Sequence, residues 1–360
     1  MGNKTYISVF VVFIALFSLL LLAVGKRQIT NIITNDAEIK NERSVYIGFW
    51  THGLWNDETK SVDPSRLREI ENKIGKKVAI ANYFRGWEHL GRSDEIIKEL
   101  DAISSEGWVP MVSTNPYFFS ECPPNGKTLY KAIADGDCDQ YLHKISSTLK
   151  EVPEPFFLRF AWEMNVNTME WSIVRTASSP SEFIAAWRRF HTILKNDGVT
   201  NAIWVFSPQV ETPSTTDISL IYPGDDYVDW IGLDGYNWGN TQSWSSWQSF
   251  KSIYFDSYLK ISSLAPTKPI MIAEVNTSHQ GGDQARWYKD MLSHEIPNTF
   301  PEVDAIVFFN EDKRTQEGVE WKIDASEASL YEFRKGLEND IYKSEIRFID
   351  NDAPGQRSAP

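Results

Sequence analysis

Only two of the 360 residues are cysteine, too few for a disulfide-built scaffold or a four-cysteine metal site. Histidine is also scarce. The six present form no H-x-H or H-E-x-x-H pattern, and no C-x-x-C occurs, so a catalytic metal site has no sequence support. Basic residues are in deficit: 36 Lys and Arg against 49 Asp and Glu leave a net charge of −13. That excludes phosphate-backbone binding, which needs a basic face, and suits a neutral substrate. No G-x-S-x-G elbow is present. The first strand-like run, VYIGFW (45–50), leads into Trp50-Thr51-His52-Gly53-Leu54, not into the glycine-rich turn of a dinucleotide site. Gly126-Lys127-Thr128 imitates the end of a phosphate loop, but Glu121 stands at the first glycine position and Pro123-Pro124 spoil the turn.

What is abundant is aromatic: 14 Trp, 14 Tyr and 20 Phe, in a chain whose 42% apolar and 24% charged residues describe an ordinary globular protein. One long apolar run lies at the N-terminus. Residues 6–24 (YISVFVVFIALFSLLLLAV) carry no charge and are flanked by Lys4 and by Lys26-Arg27. The run is long enough to cross a bilayer as a helix, and reads as an anchor. Because Ala23-Val24-Gly25 has a small-x-small pattern, a cleaved signal peptide is the alternative. The domain expectation is therefore a signal anchor or signal peptide over 1–27, a polar linker over 28–44, a catalytic domain over 45–340, and a disordered tail over 341–360. The catalytic part is expected outside the cytoplasm, membrane-anchored or secreted.

Between the tethers, eight β-branched and aromatic runs alternate with amphipathic stretches. The runs are 45–50, 78–84, 108–114, 156–162, 202–207, 227–234, 269–274 and 304–310. They are continuous rather than alternating, as expected for parallel strands covered on both faces. Helical periodicity fills most gaps, for example over 64–74, 94–106, 139–150, 181–195 and 283–292, and is least clear after the fifth strand. Eight β-α repeats predict an α/β fold, a closed (β/α)₈ TIM barrel, with an open doubly wound sheet as the competitor.

In such a barrel, chemistry sits at the C-terminal strand ends. Two carboxylates close strongly apolar strands there, Glu163 after FFLRFAW and Glu274 after PIMIA. Strands four and seven face each other across a barrel mouth. Two glutamates in a pocket rimmed by aromatic rings suit glycoside cleavage: a raised-pKa acid protonates the leaving oxygen while the other carboxylate attacks the anomeric carbon. Rings cover the C–H faces of sugars, while Asn and His address hydroxyls. His52, Trp87, Trp162, Asn165, Tyr236 and Trp238 occupy the strand ends as candidate binding residues. Asp234 is open between an acid or ligand and a turn-forming residue. Trp187 and Trp204 read as core.

Several separated blocks resemble glycoside hydrolase family 26: FLRFAWEMN (157–165) with Trp171 following, YPGDDYVDWIGLDGYNWG (222–239), KPIMIAEVNTSHQGGDQARW (268–287) and FPEVDAIVFFNEDKRTQEGVEWKID (300–324). With IGFWTHGLW (47–55) and IADGDCDQYL (133–142), they span about residues 45–337 in the family's order. The resemblance implies a retaining hydrolase of a β-linked polysaccharide — β-mannan, mixed-linkage β-glucan or β-1,3-xylan — acting by double displacement without cofactor. It makes Glu163 the acid/base and Glu274 the nucleophile. It implies that Tyr236 hydrogen-bonds Glu274, that Arg159 lies under the pair, and that Trp171, Trp238 and Trp321 serve sugar subsites. One departure stands out: Trp162 occupies the position before the acid/base where the family usually has histidine. An indole offers a donor and a face but no acceptor or proton.

The expected partner is thus a β-linked polysaccharide or oligosaccharide, with no nucleic acid, membrane contact only through the N-terminal segment, and a monomeric working unit. Two other readings remain: a catalytically weak carbohydrate-binding barrel, and an enzyme trimming the cell's own exopolysaccharide. If the chain is exported, Cys122 and Cys138, sixteen positions apart in the loop after the third strand, are candidates for a disulfide, with two free thiols as the alternative.

Overall fold

A computed structural model describes residues 43–56, 61–116, 121–122 and 125–346. The apolar N-terminal run, the linker expected over 28–44 apart from its last two residues, and the end of the tail lie outside the described residues. Among the described residues, no helix is long and apolar enough to cross a membrane.

Eight strands form the core: β1 (Val45–Thr51), β2 (Ile80–Phe84), β3 (Val109–Thr114), β4 (Phe156–Phe160), β5 (Ala202–Phe206), β6 (Trp230–Asn237), β7 (Ile270–Thr277) and β8 (Val303–Asn310). Each pairs in parallel with its neighbour in chain order, and β8 pairs back onto β1 from Tyr46↔Ala305 to Thr51↔Asn310. The sheet closes on itself, which leaves no doubly wound edge and gives the eight-stranded parallel barrel predicted from the repeats. Short parallel pairing of Tyr342 and Lys343 with β1 carries the folded part past residue 340, the boundary expected from composition.

The helices pack their apolar stripes outside. Helix α1 (Pro180–Asp197) illustrates the local causes. Ser179 and Glu182 form a reciprocal capping box, Pro180 takes the first turn, and Gly198 ends the helix at φ 91°. Phe183, Ala186, Trp187, Phe190 and Leu194 recur at helical spacing and bury one face. Trp187 and Trp204 are both core, as their positions predicted. After β5 the usual long helix is replaced by two single 3₁₀ turns, Ile218–Leu220 and Asp225–Tyr227.

The barrel interior is a separate apolar layer of Ile80, Met111, Phe157, Ile203, Val205, Met271, Ala273, Ala305 and Val307. Gly232 belongs to this crowded interior: a Cβ there would lie 2.6 Å from the Ser207 hydroxyl. Above this layer the inward positions turn polar, and that change builds the site.

Cys122 and Cys138 are disulfide-bonded. Closing a loop of this length contributes about 3 kcal/mol by chain entropy, most of it through the unfolded state.

Candidate active site

The inward-facing parity of β7 changes along the strand. Met271 and Ala273 point into the barrel, whereas Ile270, Ile272 and Val275 pack outward. The cause is an extra residue: β6 pairs Leu233 with Ile272 but the next residue, Asp234, with Glu274, and β8 shows the same slip between Ile306 and Phe308. Such a bulge re-aims the side chains after it. It turns Glu274 into the mouth where Val275 would otherwise stand.

Below Glu274 lies Arg159 on β4, fully buried. It donates to Glu274 Oε1 at 2.5 Å through one terminal nitrogen and to Asp234 Oδ2 at 2.5 Å through the other. Burial, the largest single influence, disfavours the cation, but Asp234 and Glu274 together outweigh it and keep the guanidinium charged. Ser207 donates to Asp234 at 3.0 Å. Ser113 accepts from Arg159 at 3.1 Å and donates to Asn82 at 2.8 Å. Above, the Tyr236 hydroxyl donates to Glu274 Oε2. Burial and the neighbouring carboxyls of Glu274 and Glu163 push the Tyr236 pKa well above its usual value, so it serves as a neutral donor.

Glu163 is presented differently. Strand β4 stops at Phe160, two residues short of the apolar run, because Ala161 and Glu163 adopt φ of +49° and +54°. Non-glycine residues pay for that conformation, on the order of 1–3 kcal/mol each, so neighbouring structure must enforce it. It does: the Ala161 amide donates to Thr114 O at 2.7 Å and the Glu163 amide to Ser207 O at 2.8 Å, tying the turn to β3 and β5. No described protein group hydrogen-bonds the Glu163 carboxyl. Burial raises its pKa well above the normal range, reinforced by the charges of Asp234 and Glu274 and opposed by Arg159 and Lys313. Asp234 is also pushed up, to about 8, by burial against the pull of Arg159, but it accepts from Arg159 and Ser207, whereas the Glu163 carboxyl has no donor to hold its charge.

An arc of rings borders the mouth. Ring centroids run from Trp171 to Trp162 (4.2 Å), Phe84 (5.0 Å), Trp50 (5.9 Å), Phe309 (4.4 Å), Tyr236 (5.9 Å), Trp321 (4.9 Å), Trp238 (4.9 Å) and Trp244 (5.3 Å). The structure thus brings Glu163, Glu274, Arg159, Trp162, Tyr236, Trp171 and Trp238 to one mouth. Trp162 is 8% exposed and boxed between Phe84 and Trp171, whose indole N–H donates to the Trp162 carbonyl. His52 sits on the rim, solvent-facing, with Nδ1 3.2 Å from Glu311.

Three of the candidate residues are placed away from the open mouth. Trp87 is wholly buried between Phe160 and Phe190 and packs with the helix-layer core. Asn165 spends both amide atoms on the Gln209 backbone and latches two loops together. Trp321 is 2% exposed, closed in by Tyr236 and Trp238; it backs the tyrosine rather than offering a face. Asp234, left open by sequence, is a buried partner of Arg159. Its inward strand position was a usable signal; its partner, 75 positions away, was not. Ser207, Ser113 and Asn82 carried no signal beyond being small polar residues in strands.

Residues 127–292 match the model of Glycosyl hydrolase family 26. The chain is 30% identical over 297 residues to Endoglucanase H of Acetivibrio thermocellus, covering 81% of this chain and 31% of that protein. It is 27% identical over 210 residues to a mannan endo-1,4-beta-mannosidase of Bacillus subtilis, covering 51% of this chain and 56% of the relative. The chain therefore spans about a third to somewhat over half of these relatives. Among solved structures, the modular endo-beta-1,4-mannanase of Cellulomonas fimi superposes with a TM-score of 0.61 at 14% identity, over 90% of this chain and 78% of that one. At that identity the likeness concerns the fold alone.

Proposed function

Because the chain belongs to glycosyl hydrolase family 26, we propose that it cleaves a β-linked polysaccharide with retention of configuration. The observation that carries this reading is the unequal treatment of two glutamates at one mouth. Glu274 is fixed by Arg159 and Tyr236, while Glu163 is held protonated and free of donors. In the first step Glu163 gives its proton to the glycosidic oxygen as Glu274 attacks the anomeric carbon, and the leaving chain departs with the proton. The Glu163 carboxylate then takes a proton from water, whose oxygen displaces Glu274 from that carbon. Arg159 and Tyr236 orient the attacking oxygens and stabilise the charge that returns to them.

For substrate we favour a β-glucan over mannan. Trp162, boxed by Phe84 and Trp171, walls the region beside Glu163 with a bulky indole that leaves little room for an axial hydroxyl. The endoglucanase relative supports the same choice, the mannosidase relative the other. The test is incubation of the purified protein with mannan, lichenan, laminarin, β-1,3-xylan and cellulose. Product sizes are read by chromatography and product anomers by NMR. Initial release of the β-anomer from lichenan supports the reading; α-anomer release removes retention, and no release from any polymer removes the activity. We further propose an extracytoplasmic location through the N-terminal apolar run, tested by carbonate extraction of membranes.

A further inference from the structure

We infer that Trp244 is a distal sugar-binding platform that takes a pyranose unit of the same β-linked chain, beyond the residues at the two glutamates. The inference rests on the glycan-cleaving reading above and adds a site to it.

Trp244 ends the aromatic arc, and its exposure is unlike that of the ring next to it. It is 70% exposed, whereas Trp238 is partly buried. Covering such a ring with the apolar face of a ligand is favourable. Its loop is not free to fold it away. Gly239 turns at φ +55°, where a Cβ would lie 1.9 Å from the Gln280 carbonyl, so the turn after β6 accepts no side chain. The Asn240 amide donates to that same carbonyl at 3.0 Å. The Ser245 hydroxyl donates to Gly239 O at 2.8 Å, and the Gln242 side chain donates to Glu317 O across to the loop after β8 at 2.6 Å. A ring fixed before binding loses little entropy on binding.

Trp244 is also connected to the catalytic mouth through ring contacts. Three successive contacts lead from Tyr236, which holds Glu274, through Trp321 and Trp238 to Trp244. The inner two rings are partly or wholly covered, and the outermost presents its surface. The C–H face of a pyranose in an equatorial β-linked backbone matches a flat indole.

The experiment compares wild type with Trp244→Ala and Trp244→Phe, full-length, on the preferred polymer and on a short aryl β-glycoside that cannot reach position 244. Retardation of each protein in a native gel containing the polymer is measured alongside. Expected for Trp244→Ala is an approximately tenfold lower kcat/KM on polymer, about 1.4 kcal/mol, carried by KM. The short substrate should be unaffected, gel retardation weaker, and Trp244→Phe should recover most of both. Equal losses on both substrates, or undiminished retardation, overturn the inference. If no protein turns over any glycan, the proposed activity fails, while retardation still decides Trp244: weakened in Trp244→Ala it supports the platform; unchanged or absent in wild type it removes it.

Discussion

On the β6–β7 side of the mouth, Glu274 accepts hydrogen bonds from Arg159 and Tyr236 and stands on a strand that continues three residues past it. On the β4 side, Glu163 follows a strand that has already ended, on a strained turn, with no donor to its carboxyl. One side chain type thus receives two environments. Donors and a nearby cation favour the anionic form, and burial beside other carboxylates favours the neutral one. In the mechanism we propose, this difference makes a nucleophile and an acid from the same residue type: a bulge turns one glutamate onto a prepared cation, and a left-handed turn presents the other without a donor.

The most severe way to break this contrast is to remove its hydrogen-bonded half. Glu274→Ala should lower turnover on the order of 10⁴-fold or more, the scale of losing a nucleophile. Added azide should restore cleavage by occupying the vacated space and yield a glycosyl azide. Activity near wild type without azide would take Glu274 out of the mechanism.

Removing the neutral half should cost less. Glu163→Gln keeps the shape but cannot give up a proton, so turnover of a natural glycan should fall about 10²- to 10⁴-fold. An aryl glycoside with a good leaving group needs little protonation and should keep its first step. The sign of the pH dependence follows from the direction of the shift. The raised pKa of Glu163 means that activity is lost as pH rises through that value, and this upper limb should vanish in Glu163→Gln. An unchanged upper limb would assign it to another group.

Much of this was legible beforehand because parallel barrel strands are apolar on both faces. All eight strands were recognisable, and both glutamates stood at their ends. The strand bounds failed where interior chemistry replaced hydrophobicity. β6 and β7 run three residues further than the apolar runs, because Gly235, Asn237, Asn276 and Thr277 look like loop residues to any hydrophobic pattern. β4 ends two residues early because left-handed φ at an alanine and a glutamate has no sequence signature. Trp87 and Trp162 each follow a strand end, but only packing distinguishes the one in the helix-layer core from the one at the barrel mouth.

Asp234 tests whether the contrast is electrostatic. Burial pushes the Asp234 pKa up to about 8, so its charge grows in around that pH. Once ionised it is one of the two carboxylates that raise the Glu163 pKa, and Asp234→Asn should lower that pKa and move the upper limb of the pH–kcat profile to lower pH. Arg159 would also lose one of its two ionic partners, with a rate loss of 10- to 100-fold expected from one charge-assisted hydrogen bond worth about 1.5–3 kcal/mol. A rate loss with an unmoved profile would mean that Asp234 carries a proton itself in the working enzyme, and the acid would then owe its pKa to burial and Glu274.

The smallest expected effect concerns Trp162, between the kinked turn and the acid. Its ring is 8% exposed, so little indole face remains to stack on a sugar, and its influence must come mainly from the space it fills beside Phe84 and Trp171. A smaller imidazole would open that wall. Mannan differs from glucan in an axial rather than equatorial 2-hydroxyl, so Trp162→His should raise kcat/KM on mannan relative to mixed-linkage glucan. Steric discrimination of one small group is worth about 10- to 200-fold; with so much of the indole covered, a change of roughly tenfold is expected. The Trp171 bond to the Trp162 carbonyl involves the backbone and survives the substitution, so the turn that presents Glu163 should hold. An intact pH profile in the variant would confirm that. If the wild type already prefers mannan, or the ratio stays constant with the pH profile intact, Trp162 does not set specificity, and discrimination lies with rings further along the arc.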